Sequence, residues 1–561
     1  MRVLLSLAAV TAIISAFFAT GATSTSVHAA AAATSYKGQM TTAKLIGAAS
    51  VSVTAGTGKA SPKAVAAPYH PRPVSSGKQR VAAQRPLANS SPFAVGALKY
   101  GFQGVSAVDN GKATKGYDLE PPDEGLAASN GYAANFVNLT GAIYNANGSI
   151  AAGPFPLATL GGGGFFNEDL NNIVSDPRAY YDASSHLWIA LIWVTLNSGT
   201  SHVDIAVNAG NPTTPWTEYR FDVTDANNSG CPCLPDFTIL GTDEYNVYFV
   251  PNEFQNNGAG AFNGSVIYAV AKSDLIKGTV TPNVAVFSQL SIGGALAYHL
   301  QPAATYGNAK AEYFANSIDL NNIYGNSLGV WALTNREHIA SGVMPTLSST
   351  IVNTETFAPT VDAQTPVGFN AFTGQSTAGF LDAGGDPLQN LQYINGHLYA
   401  TMGTAVNIAG DTVARDGIAW FDITPKLSNG VISATKTAIS DQGYIVKQGL
   451  YLLYPHIEHA ASGTTAIAFS FTGPQTYPSS GYVVRSKHEK SFGGVVVAAA
   501  GAAPDNGFTG TPIFGVRNRW GDYSAGQLDA SGKAIWFATQ YIAGPGDQVA
   551  NWSNYVFAVA A

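Results

Sequence analysis

A chain of 561 residues that is 46% hydrophobic and only 11% charged buries a large core, which excludes an intrinsically disordered protein and a coiled coil. Its 60 Gly, 27 Phe, 26 Tyr and 8 Trp favour many short strands joined by turns, and its two Cys exclude a disulfide-dense scaffold and a four-Cys zinc site. A formal charge of −7 provides no electrostatic footprint for nucleic acid.

The charge is unevenly placed. No acidic residue precedes Asp109, whereas ten basic residues do, from Arg2 to Lys99. Residues 1–29 read as an export signal: Met1-Arg2, an apolar run from Val3 to Ala19, and Val27-His28-Ala29 as an A-x-A-like cleavage site. A secreted or cell-envelope location is therefore expected, with no transmembrane segment in the mature chain, because no later stretch reaches about 18 uninterrupted apolar residues. Residues 30–96 are rich in Ala, Ser, Thr, Pro and Lys, and predict a disordered linker or removable propeptide, because such a composition cannot repay its own ordering entropy.

From residue 97 to 561 the chain repeats. Seven strand-like apolar runs start at Tyr132, Leu187, Asn246, Glu312, His397, Thr465 and Ala534. Each follows a Pro, an Asp or both: Pro122-Asp123, Asp176-Pro177, Pro235-Asp236, Pro302, Asp386-Pro387, Pro455-His456 and Gly521-Asp522. A repeat of this length matches a four-stranded propeller blade, and radial closure protects the edges of its sheets. The expectation is an all-β fold, a seven-bladed β-propeller of four-stranded antiparallel blades. The widest gap, between the fourth and fifth runs, predicts a long loop around Met344 to Thr365.

Arg519-Trp520-Gly521-Asp522-Tyr523-Ser524, with Asp529 and Ile535-Trp536-Phe537, resembles the last blade of secreted bacterial sialidase-like propellers. Ser175-Asp176-Pro177-Arg178 through Leu187-Trp188, Leu234-Pro235-Asp236 with Tyr248 to Asn252, and Tyr477-Pro478-Ser479 fit the same pattern. The resemblance implies the fold rather than an activity, since many members have no assigned reaction. Asp boxes of the form S-x-D-x-G-x-T-W and an arginine triad by position are absent.

The sequence has no G-x-S-x-G, H-E-x-x-H or phosphate-binding loop, and Gly161–Gly164 read as a flexible loop. Asp225, Asn227 and Ser229, with Gly230 and Asp236 behind them, have the oxygen spacing of a calcium loop. Asx turns explain the same residues, so no cofactor is required and calcium is the one that the spacing admits. Cys231 and Cys233, one residue apart in an exported chain, predict a local disulfide.

If the blade starts face the central funnel, Asp123, Asp176, Asp236, Asp522 and His456 converge as candidate acids and bases. Arg178 and Arg519 are candidates to grip a uronic or sialic carboxylate in bidentate fashion, with Trp520 and Tyr523 as stacking rings. Acids beside the two arginines are expected to have depressed pKa values. Two functions follow: a monomeric exported module that binds a glycan or surface protein without turnover, and a glycoside hydrolase or polysaccharide lyase. A third reading of the same residues ties each blade to its neighbour.

Overall fold

The computed structural model describes residues 33–52, 63–66, 97–225, 228–256, 260–319, 323–547 and 549–561. Residues 1–29, read above as an export signal, and most of residues 30–96 lie outside them. Among the described residues the chain is overwhelmingly β, and seven antiparallel units of four strands follow one another.

Each apolar run singled out by the repeat is the second strand of its unit: Tyr132–Val137, Leu187–Thr195, Asn246–Gln255, Glu312–Ile318, His397–Val406, Thr465–Gly473 and Ala534–Tyr541. The innermost strands are Gly125–Ser129, Ile173–Asp182, Cys233–Thr242, Gln301–Pro302, Leu388–Ile394, Tyr451–His459 and Ala525–Leu528. Each packs beside the next, and the seventh packs beside the first. The seventh unit takes its outermost strand, Tyr100–Ser106, from the other end of the repeat region, by antiparallel pairing with Ser553–Ala560.

The core is divided among the interfaces between units. In Leu187–Thr195 every residue is buried. Trp188, Ala190, Ile192 and Val194 pack with Phe136 and Ile143 of the first unit, while Leu187, Ile189, Leu191 and Trp193 pack with Val247 and Phe249 of the third. In Asn246–Gln255 the alternation continues, with Tyr248 and Val250 joining Phe314 and Trp331 of the fourth unit. A strand covered on both faces reads as a continuous apolar run rather than an alternating one, which is why the second strands stand out in the sequence.

Two expectations need correction. The leader is not devoid of structure: Thr34–Tyr36, Gln39–Thr42 and Lys44–Ala49 add a fifth strand to the fourth, third and second units in turn. These residues order without a core of their own because an exposed sheet edge already offers a row of N–H and C=O groups to pair with. The long insertion also sits later than expected, since Thr346–Phe357 is a strand of the fourth unit. The irregular stretch runs from Ala358 to Pro387, holding only two-residue strands. It packs Ala363, Leu381 and Ala383 against Tyr451, Tyr454 and Trp520.

Cys231 and Cys233 form a disulfide, with Cys233 fully buried. Bridging across one residue removes little chain entropy, about 1.5 kcal/mol on the loop-closure relation. Replacing both with Ser is expected to lower the melting temperature by only a few degrees, as read by thermal denaturation. A collapse of the fold would contradict this.

Candidate functional site

Five of the seven innermost strands share a backbone device near their start. Asp123, Asp176, Phe237, His299 and Tyr454 all adopt positive φ, between 46° and 54°. Register shifts follow in the same region of several strands, between Ser175 and Arg178, Asp236 and Ile239, and Leu453 and His456. Such bulges redirect side chains, here toward one end of the shared axis.

Several of the candidate residues do converge there. Asp123 is completely buried; its Oδ1 accepts the backbone N–H of Asp522 at 2.7 Å and its Oδ2 accepts Asn138 Nδ2 at 2.6 Å. Asn138 Oδ1 in turn accepts the N–H of Asp176 at 2.8 Å. Asp176 Oδ2 accepts the N–H of Phe237 in the third unit at 2.8 Å. Asp123 thus ties the first unit to the seventh, and Asp176 ties the second to the third. Asp236 accepts the N–H of Phe237 at 3.0 Å and lies within electrostatic reach of Asp522.

The aromatic and arginine assignments change. Arg519 Nη2 donates to Asp522 Oδ2 at 2.7 Å and its Nε lies 3.8 Å from Asp382 Oδ2, so this guanidinium is committed within the protein. Trp520 is 1% exposed, packed with Tyr451 and Tyr454, and cannot stack on a ligand. Tyr523, also 1% exposed, lies edge-on to Phe237 with the Arg178 guanidinium 3.0 Å from its ring centroid. Arg178 spends Nε on Thr238 O at 3.1 Å, so the expected bidentate grip is reduced to its Nη groups.

Below this cluster lies an axial cavity of about 70 Å³, walled by residues of all seven units. Arg178, Glu124, Gln301, Gln389 and His456 face it. Arg178 Nη2, both carboxyl oxygens of Glu124, Gln301 Oε1 and Gln389 Oε1 are buried without a protein hydrogen-bond partner. His456 is held by Glu458 Oε1 at 3.2 Å and Ser524 O at 3.3 Å. Glu124 was not a sequence candidate, although it directly follows Pro122-Asp123 and shares their position in the repeat.

The expected depression of the acids fails for two of them. Burial pushes Asp522 up to about 7 despite the opposing pull of Arg519, and burial with the neighbouring Asp522 and Asp176 holds Asp123 well above the carboxylate range. Burial likewise raises Glu124. Desolvation outweighs a single guanidinium shared among several carboxyls. Elsewhere burial raises Asp505 to about 7 and Glu253 to about 8.

These groups keep protons in the folded chain that the unfolded chain releases above about pH 4. Their contribution to stability is present below about pH 4 and is lost as pH rises through the folded values of about 7 and 8. The melting temperature is expected to be higher at pH 5 than at pH 8, with Asp522→Asn flattening part of the decline. A melting temperature that rises across this interval would contradict the assignment.

The residues with calcium-loop spacing have other neighbours where they are described. Asp225 approaches Glu253 and Asn228, Asp236 belongs to the axial cluster, and Asn227 lies outside the described residues. Asp169 Oδ1 accepts the N–H groups of Gly161 and Asn171, each at 2.9 Å, so the Gly run and the Asp169 turn are held together by turn chemistry.

No family model and no curated protein matches the chain. Among solved structures, an exo-beta-1,3-galactanase from Phanerochaete chrysosporium with galactose is 10% identical, with TM-score 0.30, over 82% of this chain and 100% of that one. Trypanosoma rangeli sialidase in complex with sialic acid is 7% identical, with TM-score 0.30, over 77% and 59%. An endo-arabinase from Bacteroides thetaiotaomicron VPI-5482 is 13% identical, with TM-score 0.24, over 77% and 92%. Likenesses this distant carry no argument about fold or activity, which rest here on the chain's own strand order and site.

Proposed function

We propose that the chain is an exported seven-bladed β-propeller that binds an extracellular glycan at the mouth of its axial cavity, without turning it over. The cyclic packing of the seven innermost strands supports the blade count. The observation that carries the binding site is the set of unpartnered polar atoms around the cavity, above all Arg178 Nη2 beside Glu124. Polar groups buried without partners cost free energy unless water or a ligand satisfies them. A volume of about 70 Å³ holds a few waters or one projecting group, not a sugar ring. With burial favouring the neutral form of Glu124, the nearest formal charge is the Arg178 guanidinium, which suits a carboxylate such as that of a uronic or sialic residue.

Binding is preferred over catalysis because Asp123 and Asp176 spend carboxylate oxygens on backbone amides of neighbouring units, which fixes them in place. The enzymatic reading, a glycoside hydrolase or polysaccharide lyase, keeps one specific support: Asp522 titrates near neutrality beside Asp123 and could hand over a proton. Screening the purified chain against acidic and neutral plant, fungal and bacterial polysaccharides separates the two. Saturable binding without release of reducing ends or unsaturated products supports a lectin-like module; steady product release supports the enzyme.

A further inference from the structure

Away from the axis, the second unit carries a cluster that the function above leaves unused. His202 and Asp204 stand two residues apart on Ser201–Asn208, and Glu218 and Arg220 two apart on Trp216–Asp222. Asp204 pairs with Arg220 and Ala206 with Glu218 across the ladder, so strand alternation puts all four on one face. That face is turned to the first unit, as Ala206 and Trp216 pack with Phe136 and Phe165. Glu168 enters from the short strand Glu168–Asp169.

His202 Nε2 lies 3.2 Å from Glu168 Oε1 and 3.7 Å from Asp204 Oδ2. One ligand atom from each of Glu168, His202 and Asp204 falls within 4.8 Å of the others, and all three residues are buried. Arg220 bridges the two acids. Its Nε and Nη2 donate to Asp204 at 2.9 and 2.7 Å, and Nη2 also contacts Glu168, while the side chain remains 35% exposed.

A second observation points to a missing partner. Glu218 is 2% exposed, and its Oε1 has no hydrogen-bond partner. It faces a cavity of about 320 Å³ shared with Glu168, Arg220 and the leader strand Lys44–Ala49. That strand bulges at this point: Glu218 pairs with Gly47 and Tyr219 with Leu45, leaving Ile46 unpaired. Three carboxyl groups therefore share one guanidinium, and the unsatisfied one opens onto a space roomy enough for bound waters.

We infer that Glu168, His202, Asp204 and Glu218 form a divalent-cation site, whose place Arg220 holds when the ion is absent. An imidazole nitrogen among carboxylate oxygens favours manganese or zinc over calcium or magnesium. The cavity accommodates the waters that such an ion retains. Arg220, one-third exposed, is free to swing outward as the ion enters, since the two positive charges compete for the same oxygens.

The test uses the full chain after chelator treatment, with Mn²⁺ titrated by loss of the free-ion paramagnetic signal and Zn²⁺ and Ca²⁺ by calorimetry. One Mn²⁺ or Zn²⁺ per chain is expected, with Ca²⁺ weaker. His202→Ala and the near-isosteric Glu218→Gln should each weaken binding by about tenfold or more. Arg220→Ala should tighten it, and joint replacement of Cys231 and Cys233 by Ser should leave it unchanged. Should His202→Ala fail to fold, Glu218→Gln decides alone. Absence of saturable Mn²⁺ and Zn²⁺ binding, or binding indifferent to Glu218→Gln in a folded chain, overturns the site.

Discussion

A chain beginning at Val51 is expected to lose on the order of 5 kcal/mol of stability and to aggregate on warming, although the deleted residues contribute little apolar surface. Thr34–Tyr36, Gln39–Thr42 and Lys44–Ala49 complete the outer edges of three consecutive units, so their removal uncovers three unpaired rows of backbone donors and acceptors. Few side chains add to the backbone pairing. Tyr36 lies 4.8 Å from the Trp331 ring and donates its hydroxyl to Ser291 O at 2.6 Å, and Ala43 and Ala49 are buried. Thermal denaturation with light scattering measures both effects. A truncated chain that melts within two or three degrees of the full one and stays clear would show that the leader strands are ornamental.

Arg519→Ala is expected to be the most damaging single substitution at the axis, costing about 3–5 kcal/mol. Burial disfavours the Arg519 charge, but Asp522 and Asp382 around it more than compensate and hold it firmly protonated. Without it, two carboxyls with side chains 22% and 4% exposed are left facing each other. The deficit should shrink between pH 8 and pH 5, because Asp522, already raised to about 7, can then discharge itself by protonation. Urea denaturation of both chains at the two pH values reads the difference. An equal deficit at both would place the loss in packing rather than charge.

The repeat was legible because its second strands are covered on both faces: Leu187–Thr195 and Thr465–Gly473 are wholly buried, and no polar face interrupts the apolar run. The Pro and Asp residues ahead of them marked the inner strands, falling just before Gly125–Ser129 and Leu388–Ile394 and inside Ile173–Asp182, Cys233–Thr242 and Tyr451–His459. What those residues do was not legible. Positive φ at Asp123 and Asp176 and the amides they accept from other units are long-range facts that no local spacing encodes.

Composition misjudged residues 34–49, since a segment that borrows another strand's edge needs no apolar code of its own. The long insertion was misplaced because Thr346–Phe357, with its run of Ser and Thr, lacks the signature of a buried strand. Glu124 and the alternating pairs His202/Asp204 and Glu218/Arg220 were present as a pattern, yet they acquire meaning only when the ladder puts them on one face.

Binding of an acidic glycan by folded Arg178→Ala tests the axial site most directly. Arg178 lines the cavity with an unpartnered Nη2, while its one hydrogen bond into the neighbouring unit is to Thr238 O. The substitution should abolish saturable binding of a uronic- or sialic-acid polymer, measured by calorimetry on chains whose fold is checked by circular dichroism. Affinity unchanged from that of the unmodified chain would place the ligand elsewhere and leave the axial cluster as a fastener between sheets.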